Sequence, residues 1–342
     1  MPELLADHTT LRLGGPAAEF VIAETESDLI EAVRTADQIG MPLLILGGGS
    51  NLVVGDEGFD GRVVQIATRG IAADAIDDLS CRAAVTVTLQ AGEPWDDFVA
   101  RAVASGWVGI EALSGIPGLT GATPIQNVGA YGQEVAATIA SVRTWDRHEN
   151  AVRTFAAADC GFAYRTSRFK AEPGRYVVLE VSFLLREGTL SAPIGYVELA
   201  KAVDAATGDR RPLQDVRDAV LSLRRGKGMV LDARDHDTWS AGSFFTNPII
   251  TPSEVPDGAP IWPQPDGRVK TSAAWLIDHA GFAKGYGNDR VSLSTKHALA
   301  LTNRGAAKTA DLLALAIEIR DGVLASYGIR LEPEPVTVNC HL

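Results

Sequence analysis

The sequence predicts an α+β protein in which two small N-terminal units precede a separate C-terminal domain. Three observations predict it. Strand-like and helix-like segments alternate up to about residue 67, period-two runs come next, and the composition breaks at residues 205–215 (AATGDRRPLQD) before helical patterning resumes. The chain has 342 residues, enough for two or three domains at roughly 100–200 residues each.

In the first unit, Phe20 to Ala23 is a short apolar run. Ser27 is placed to cap a helix whose apolar positions Leu29, Ile30, Val33 and Ala36 keep helical spacing. Pro42 precedes the buried-strand run Leu43 to Leu46, then Gly47-Gly48-Gly49-Ser50-Asn51, and Gly61 to Ile66 reads as another strand. In the second unit, Ala83 to Gln90 alternates with period two. Glu93 to Val103 reads as a helix with Trp95, Phe98, Val99 and Ala102 inward, stopped by Ser105-Gly106. A Gly-rich stretch runs from Gly109 to Gly132. Val142 to Trp145 and Ala151 to Phe155 flank RHEN as a hairpin, and Tyr176 to Leu185 is a further strand. Beyond the break, Leu213 to Arg225 is helical and 227–241 is a polar loop. Asp311 to Leu324 is the clearest helix. Thr309 caps it, Leu312, Leu315, Ala316, Ile319 and Val323 share one face, and Gly328 ends it. Leu331 to Val338 is extended and broken by proline.

Hydrophobic residues make up 46% and charged residues 22%, which argues against disorder and coiled coil. The net charge is -12 with no stripe of Lys and Arg. Nucleic acid and anionic membrane are therefore not expected as partners, and any phosphate must be met by backbone N–H groups or a few placed cations. Cys81, Cys160 and Cys340 are odd in number, widely spaced and without a CxxC. They support neither a disulfide framework nor a cysteine zinc site, and fit a reducing cytoplasm. The start MPELLADHTTLRLGG has no basic-then-apolar signal pattern, and no apolar run approaches the roughly 18 residues of a spanning helix. HExxH, EF-hand loops and Cys/His clusters are missing, so no metal is expected. A monomer is the default.

Five stretches carry candidate chemistry. LILGGGSN, Leu44 to Asn51, ends a strand in three glycines, which lets backbone N–H groups approach phosphate oxygens or simply makes a tight turn. It lacks the Lys of a Walker loop, and the next segment, Leu52 to Asp56, is too short for the helix of a Rossmann fingerprint. Gly109 to Gly132 holds six glycines and two prolines in 24 residues, with Ile110, Leu113, Ile116, Ile125, Val128 and Tyr131 too apolar for a linker. It reads as a packed loop folded around an anionic or planar cofactor, or as an irregular connection. CGFAYRTSRFK, Cys160 to Lys170, sets Arg165 among apolar residues; taken alone it reads better as a surface basic patch. SAGSFFTNP brackets Ser243 with small residues but is not a Gly-x-Ser-x-Gly elbow, and the six histidines show no helpful spacing, so a serine hydrolase is disfavoured. A serine proton donor stays open. LEPEP, Leu331 to Pro335, is a solvated tail or a stiff segment that returns a carboxylate to a cleft.

The ordered set TTLRLGG, LGGGSNLVV, SGIPGLTGATPIQNVGAYGQEV, CGFAYRTSRFK, AGSFFTNP, AAWLIDHAG and LEPE covers nearly the whole chain. It resembles the UDP-N-acetylenolpyruvoylglucosamine reductase family, flavoenzymes of peptidoglycan precursor synthesis. The resemblance implies a two-part FAD-binding region of the p-cresol-methylhydroxylase (vanillyl-alcohol-oxidase-like) type, 1–67 and 68–210. A substrate-binding domain, 211–330, and a tail, 331–342, with a catalytic glutamate would complete the chain. FAD would be wrapped by Gly47, Gly48, Gly49, Ser50 and Asn51, and by Ser114, Gly115, Gly118, Thr123, Gln126, Asn127, Gly129 and Tyr131 of the long loop.

The implied reaction is cytoplasmic. NADPH reduces FAD, then reduced flavin gives hydride to C3 of UDP-N-acetylglucosamine enolpyruvate and a serine protonates C2. An enol ether accepts hydride poorly, so a fixed guanidinium must stabilise charge on its carboxylate. The resemblance gives that role to Arg165, proton donation to Ser243, and an assisting acid to Glu334, with Glu332 the fallback. Tyr164, Tyr196, Lys227 and Asn247 would bind substrate. Two other readings stand beside it: an oxygen-using flavin oxidase of the same fold, and a non-enzymatic nucleotide-binding module. Against a tethered-flavin oxidase, no His lies in either Gly-rich stretch.

Overall fold

The computed structural model describes residues 2–76 and 84–342. In chain order the first elements are β1 (Ala17–Ala23), α1 (Glu26–Gln38), β2 (Leu43–Leu46), β3 (Leu52–Val54), β4 (Phe59–Ile66), β5 (Ile71–Ile76), β6 (Ala84–Gln90), α2 (Trp95–Ala104), β7 (Trp107–Val108), β8 (Gly129–Ala130), β9 (Gln133–Glu134), β10 (Ile139–Asp146), β11 (Ala151–Ala156), α3 (Arg168–Ala171), β12 (Tyr176–Glu187), α4 (Val197–Ala202) and α5 (Leu213–Gly226). After these come β13 (Ile249–Ile250), β14 (Ile261–Pro263), β15 (Val269–Thr271), α6 (Ala273–His279), β16 (Val291–Leu293), β17 (Leu301–Asn303), α7 (Thr309–Tyr327) and β18 (Val336–Val338). Two compact units result: a larger one, Glu19–Gly48 with Gly61–Arg225, and a smaller one, Met1–Ala18 with Gly49–Asp60 and Gly226–Leu342.

The larger unit holds a sheet of order β1-β4-β2, with β2 and β4 parallel, and a sheet of order β11-β10-β12-β6-β5 with β7 added on β12. The period-two run buries Val85, Val87 and Leu89 and leaves the alternate threonines only half-buried. The buried residues pack with the rings of Trp95, Phe98 and Phe183, whose centroids lie 5.4–5.8 Å apart. Helix α1 turns Leu29, Val33 and Ala36 inward. Its cap is Thr25 rather than Ser27. Thr25 keeps extended backbone and its hydroxyl accepts the Asp28 N–H at 3.1 Å, whereas Ser27 already lies in the first turn. RHEN does close an antiparallel hairpin, with Asp146 opposite Ala151.

The smaller unit is discontinuous in sequence, and hydrogen bonds give the reason. β3 pairs in parallel with β18, Leu52 opposite Val336. The Asp56 carboxylate accepts the Thr309 and Ala310 N–H groups at 2.8 and 3.0 Å, capping α7 from a remote segment. Thr309 is thus the first helical residue and not the cap, and its hydroxyl donates to Val54 O at 2.6 Å. Gly328, at φ +69°, ends the helix as expected. Residues 49–60 therefore go with the C-terminal region and not with the first 67 residues, and α5 stays with the larger unit, so the division falls at 225/226 rather than near 210. The core here is Phe244, Phe245, Leu276, Ile277, Leu312, Ile319 and Val323. Cys81 lies outside the described residues, and Cys160 and Cys340 are free thiols. Among the described residues no helix is long and apolar enough to cross a membrane.

Asp146 is buried and takes the His148 and Glu149 amides together with Arg175 and Arg153. Burial alone would raise its carboxyl, but the Arg175 guanidinium and the amides outweigh that and hold it at about 2. A carboxyl depressed in the fold stabilises it fully above the unfolded value of 3.8 and stops doing so as pH falls through about 2. Asp146→Asn is therefore expected to lower the melting temperature at pH 7, with a deficit that shrinks between pH 4 and pH 2. Thermal melts across that range check it, and an equal deficit at both ends would contradict it.

Candidate functional site

In the larger unit, the glycine turn after β2 meets the long Gly-rich loop backbone to backbone. A Cβ on Gly48 would lie 2.8 Å from the Gly118 Cα, closer than Cβ contacts come. The long loop hangs from the start of α2. Trp95 N–H donates to Gly118 O at 3.1 Å, Thr120 N–H to Glu93 O at 2.8 Å and Gly121 N–H to Ala91 O at 2.9 Å. The buried Trp95 indole donates to Leu113 O at 3.1 Å. Gly115 N–H donates to the Asp96 carboxylate at 2.6 Å, and Arg217 of α5 grips the same carboxylate at 2.7 and 3.0 Å. Burial works to raise the Asp96 carboxyl, but Arg217 and the Gly115 amide outweigh it and hold it below the usual range.

Three of the expected ligand side chains are used inside the loop. Ser114 donates to Glu111 O at 2.7 Å and Thr123 to Thr120 O at 2.8 Å, both buried. Asn127 donates to Glu134 at 2.8 Å and to Ala163 O at 3.2 Å, and its oxygen accepts the Ala136 N–H. At these positions the side chains are engaged within the protein. Gln126, Gly129 and Tyr131 are half-buried in the same loop. The Tyr131 ring meets the Tyr196 ring edge-on at 5.7 Å, and Tyr196 is 46% exposed at the start of α4.

The CGFAYRTSRFK stretch is docked and not a loose basic patch. Ala163 and Thr166 exchange backbone hydrogen bonds at 3.1 and 3.2 Å around Tyr164 and Arg165. Ser167 donates to Ile125 O at 2.5 Å and also caps α3. Arg165 Nη2 donates to Gly129 O at 3.2 Å, and Lys170 Nζ donates to Arg165 O at 3.1 Å. The half-buried guanidinium is thereby held on a fixed turn, 5.9 Å from the Tyr164 ring centroid. Its φ is +53°, and that of Tyr131 is +47°. Left-handed backbone at side chains with no special liking for it marks ligand-binding turns.

Arg224 was not legible as a buried cation. It continues the buried stripe of α5 after Leu213, Val216 and Val220, where a fourth apolar residue is expected. Burial lowers its guanidinium to about 10, still cationic at neutral pH, with Tyr131, Asp96 and Arg165 as its titratable neighbours.

In the smaller unit, Phe244 and Phe245 are fully buried and anchor Ser243. Phe244 N–H donates to Leu299 O, and Glu334 N–H donates to Phe244 O, both at 2.8 Å. Asn51 Nδ2 donates to Glu334 O at 3.4 Å, and Val336 N–H to Asn51 O at 2.9 Å. Asn51 at the end of the glycine turn, Phe244 next to the serine, and the tail around Glu334 are thus joined by hydrogen bonds. Gly49, at φ +59°, packs on the backbone of His8, and Thr10 N–H donates to Gly49 O. Asn247 accepts the Ala273 N–H at 3.0 Å, and Lys227 is half-buried. Motif and spacing passed over His297, whose Nε2 lies 3.3 Å from Ser243 Oγ.

The donor set of the larger unit fits a dinucleotide. Gly115 (φ +70°) and Gly118 (φ +114°) hold backbone that side chains rarely adopt, so the loop is free of side chains at both positions, which suits the close approach of a diphosphate. Among the described residues no group of three His, Cys, Asp or Glu is disposed to hold a metal ion.

Comparison with known proteins agrees with this chemistry. Residues 17–154 match a family model described as FAD binding domain, and residues 234–338 match one described as UDP-N-acetylenolpyruvoylglucosamine reductase, C-terminal domain. The UDP-N-acetylenolpyruvoylglucosamine reductase of Cutibacterium acnes is 57% identical over 98% of this chain and 89% of its own. That of Saccharopolyspora erythraea is 57% identical over 99% of this chain and 95% of its own. Among solved structures, the reductase of the same name from Thermus caldophilus aligns over 99% of this chain and 98% of its own, with a TM-score of 0.67 and 27% identity.

Gly48→Ala is expected to force the two glycine loops apart. The absorbance ratio of flavin to protein in the purified variant should fall several-fold, and a native ratio would show that the close passage is not needed.

Proposed function

The chain belongs to the UDP-N-acetylenolpyruvoylglucosamine reductase family, and from that premise we propose the roles of its residues. It is an FAD-containing oxidoreductase of peptidoglycan precursor synthesis, with an FAD binding domain and the family's C-terminal domain in one α+β chain. Its substrates are UDP-N-acetylglucosamine enolpyruvate and, as reductant, NADPH. The reading takes the cytoplasm as the place of reaction and the monomer as the acting form.

FAD, when bound, supplies the two-electron carrier between the nicotinamide and the enol ether. Gly47 to Asn51 and the loop from Ser114 to Tyr131 hold it, chiefly by backbone amides. Arg165 takes the substrate carboxylate and stabilises the negative charge that grows there as C3 is reduced. Its docked turn supports this role, because a guanidinium already fixed loses little freedom on binding. Ser243 gives its hydroxyl proton to C2. A hydroxyl is a weak acid, but the carbanion-like centre is a strong base, so placement matters more than acidity.

Glu334 assists at the carboxylate. It is half-buried, whereas Glu332 is exposed and lies 3.9 Å from Arg330, which favours Glu334 of the two. Tyr164 and Tyr196 contact substrate, and Lys227 and Asn247 face its diphosphate. Because the Asn247 oxygen already accepts an amide, its NH2 is the end suited to a phosphate. The observation that supports the reading is the pair of hydrogen bonds to the Glu334 main chain, one from the Asn51 side chain and one to Phe244, the neighbour of Ser243.

Separate half-reactions test it in the stopped-flow. Ser243→Ala should leave NADPH-driven flavin bleaching near native and slow reoxidation by the enolpyruvyl substrate by about 100-fold or more. Native reoxidation would remove the serine from the mechanism. Arg165→Ala should harm reoxidation most; an equal loss of bound flavin would indicate a structural role instead. Glu334→Gln should slow reoxidation at least tenfold while Glu332→Gln does not, and the reverse order would move the acid to Glu332.

A further inference from the structure

We propose that His297 is a positioning residue for Ser243: its imidazole aims the hydroxyl and returns the proton that the serine gives up. The inference rests on the reading of Ser243 as proton donor.

Ser243 stands between Gly242, at φ +72°, and a phenylalanine. The buried Phe244 docks the backbone on Leu299. The hydroxyl itself still turns about its own bond, and it meets His297 Nε2 at 3.3 Å. The backbone that carries the imidazole is held in turn. The buried Ser294 Oγ accepts the Lys296 and His297 amides at 3.0 and 3.3 Å, and Ala300 N–H donates to His297 O at 3.2 Å. The loop before Ser243 fastens the same turn from outside. Asp237 accepts the Thr295 amide at 3.0 Å, its hydroxyl, and Arg304 at 2.9 Å, while Lys296 pairs with Asp235. Burial works to raise the Asp237 carboxyl, but Thr295 and Arg304 outweigh it and keep it anionic. The turn that carries the half-buried ring is thus fixed on both sides.

The chemistry asks for such a group. When the serine O–H bond breaks as C2–H forms, the oxygen carries the negative charge that left C2. An Nε2–H of the protonated ring then breaks as the serine O–H re-forms, leaving neutral imidazole. Half-buried, the ring recovers its proton from water. An Nε2–H directed at Oγ also turns the hydroxyl hydrogen away from the ring, toward its acceptor.

The test uses the FAD-loaded enzyme with His297→Ala, His297→Gln, Ser243→Ala and the double variant Ser243→Ala/His297→Ala. Expected for His297→Ala are native flavin content, native melting temperature and native bleaching by NADPH, with reoxidation slowed about 100-fold. Gln keeps a donor but no transferable proton, so it should recover part of the rate and remain about tenfold slow. The double variant should be no slower than Ser243→Ala, because the histidine acts through the serine. Native reoxidation in His297→Gln, or a double variant that loses the product of both factors, overturns the proposal while the serine reading stands. Native reoxidation in Ser243→Ala overturns both. Should His297→Ala lose flavin or stability, the His297→Gln rate decides.

Discussion

Irregular backbone must find hydrogen-bond partners, and nearly every feature of the two candidate loop sets stems from how this chain finds them. Apart from β8, which pairs with β9, the long loop of the larger unit has no strand or α-helix to pair within. It pairs with Glu93, Ala91 and Trp95 at the head of α2 and accepts a buried indole from below. That arrangement lets Gly118 come against Gly48 with no side chain between. The same solution fixes Arg165. Its turn is sewn to residues 125–129 by three bonds from Ser167, Asn127 and the guanidinium itself.

A chain of net charge -12 that handles anionic ligands must place its cations where acids do not cancel them. Around the long loop this is visible. Asp96 is matched by Arg217 and the Gly115 amide, while Arg224 sits on the buried stripe of α5 with Arg165 in its field. In the smaller unit the acidic loop 232–237 does the opposite work. Asp235 and Asp237 face Lys296, Arg304 and Thr295, and their role is to tie down a turn.

Much of this was legible in the sequence, and the parts that were not share a cause. Local signals were faithful: the Leu43 to Leu46 strand, the alternating run into Gln90, the RHEN hairpin and the stop at Gly328 all stand, because each depends on neighbours within a few residues. The misread caps, Ser27 and Thr309, are near misses in which a remote or adjacent oxygen took the place. Asp56 caps α7 from a segment far away in the chain, and no window of sequence contains both. The division of units escaped for the same reason, since the β3–β18 pairing joins the chain's beginning to its end. Motif order singled out Ser243 and Arg165. It did not find the buried Arg224 or the contact of His297 with Ser243, which are known only by what lies beside them.

The tail shows how far pattern and packing can be joined. Proline has no N–H, so in a paired extended segment it must fall where none is required. Pro333 and Pro335 do so. Between and beyond them Glu334 N–H reaches Phe244 O and Val336 N–H reaches Asn51 O, while Glu332 O accepts the Thr246 N–H. The stretch is therefore held by alternate residues against two different partners, first the Phe244–Thr246 segment and then Asn51 with β3. A free tail would leave both glutamates solvated. Here the pairing that half-buries Glu334 leaves Glu332 outside, so two carboxylates two residues apart are made unequal in exposure by the main chain.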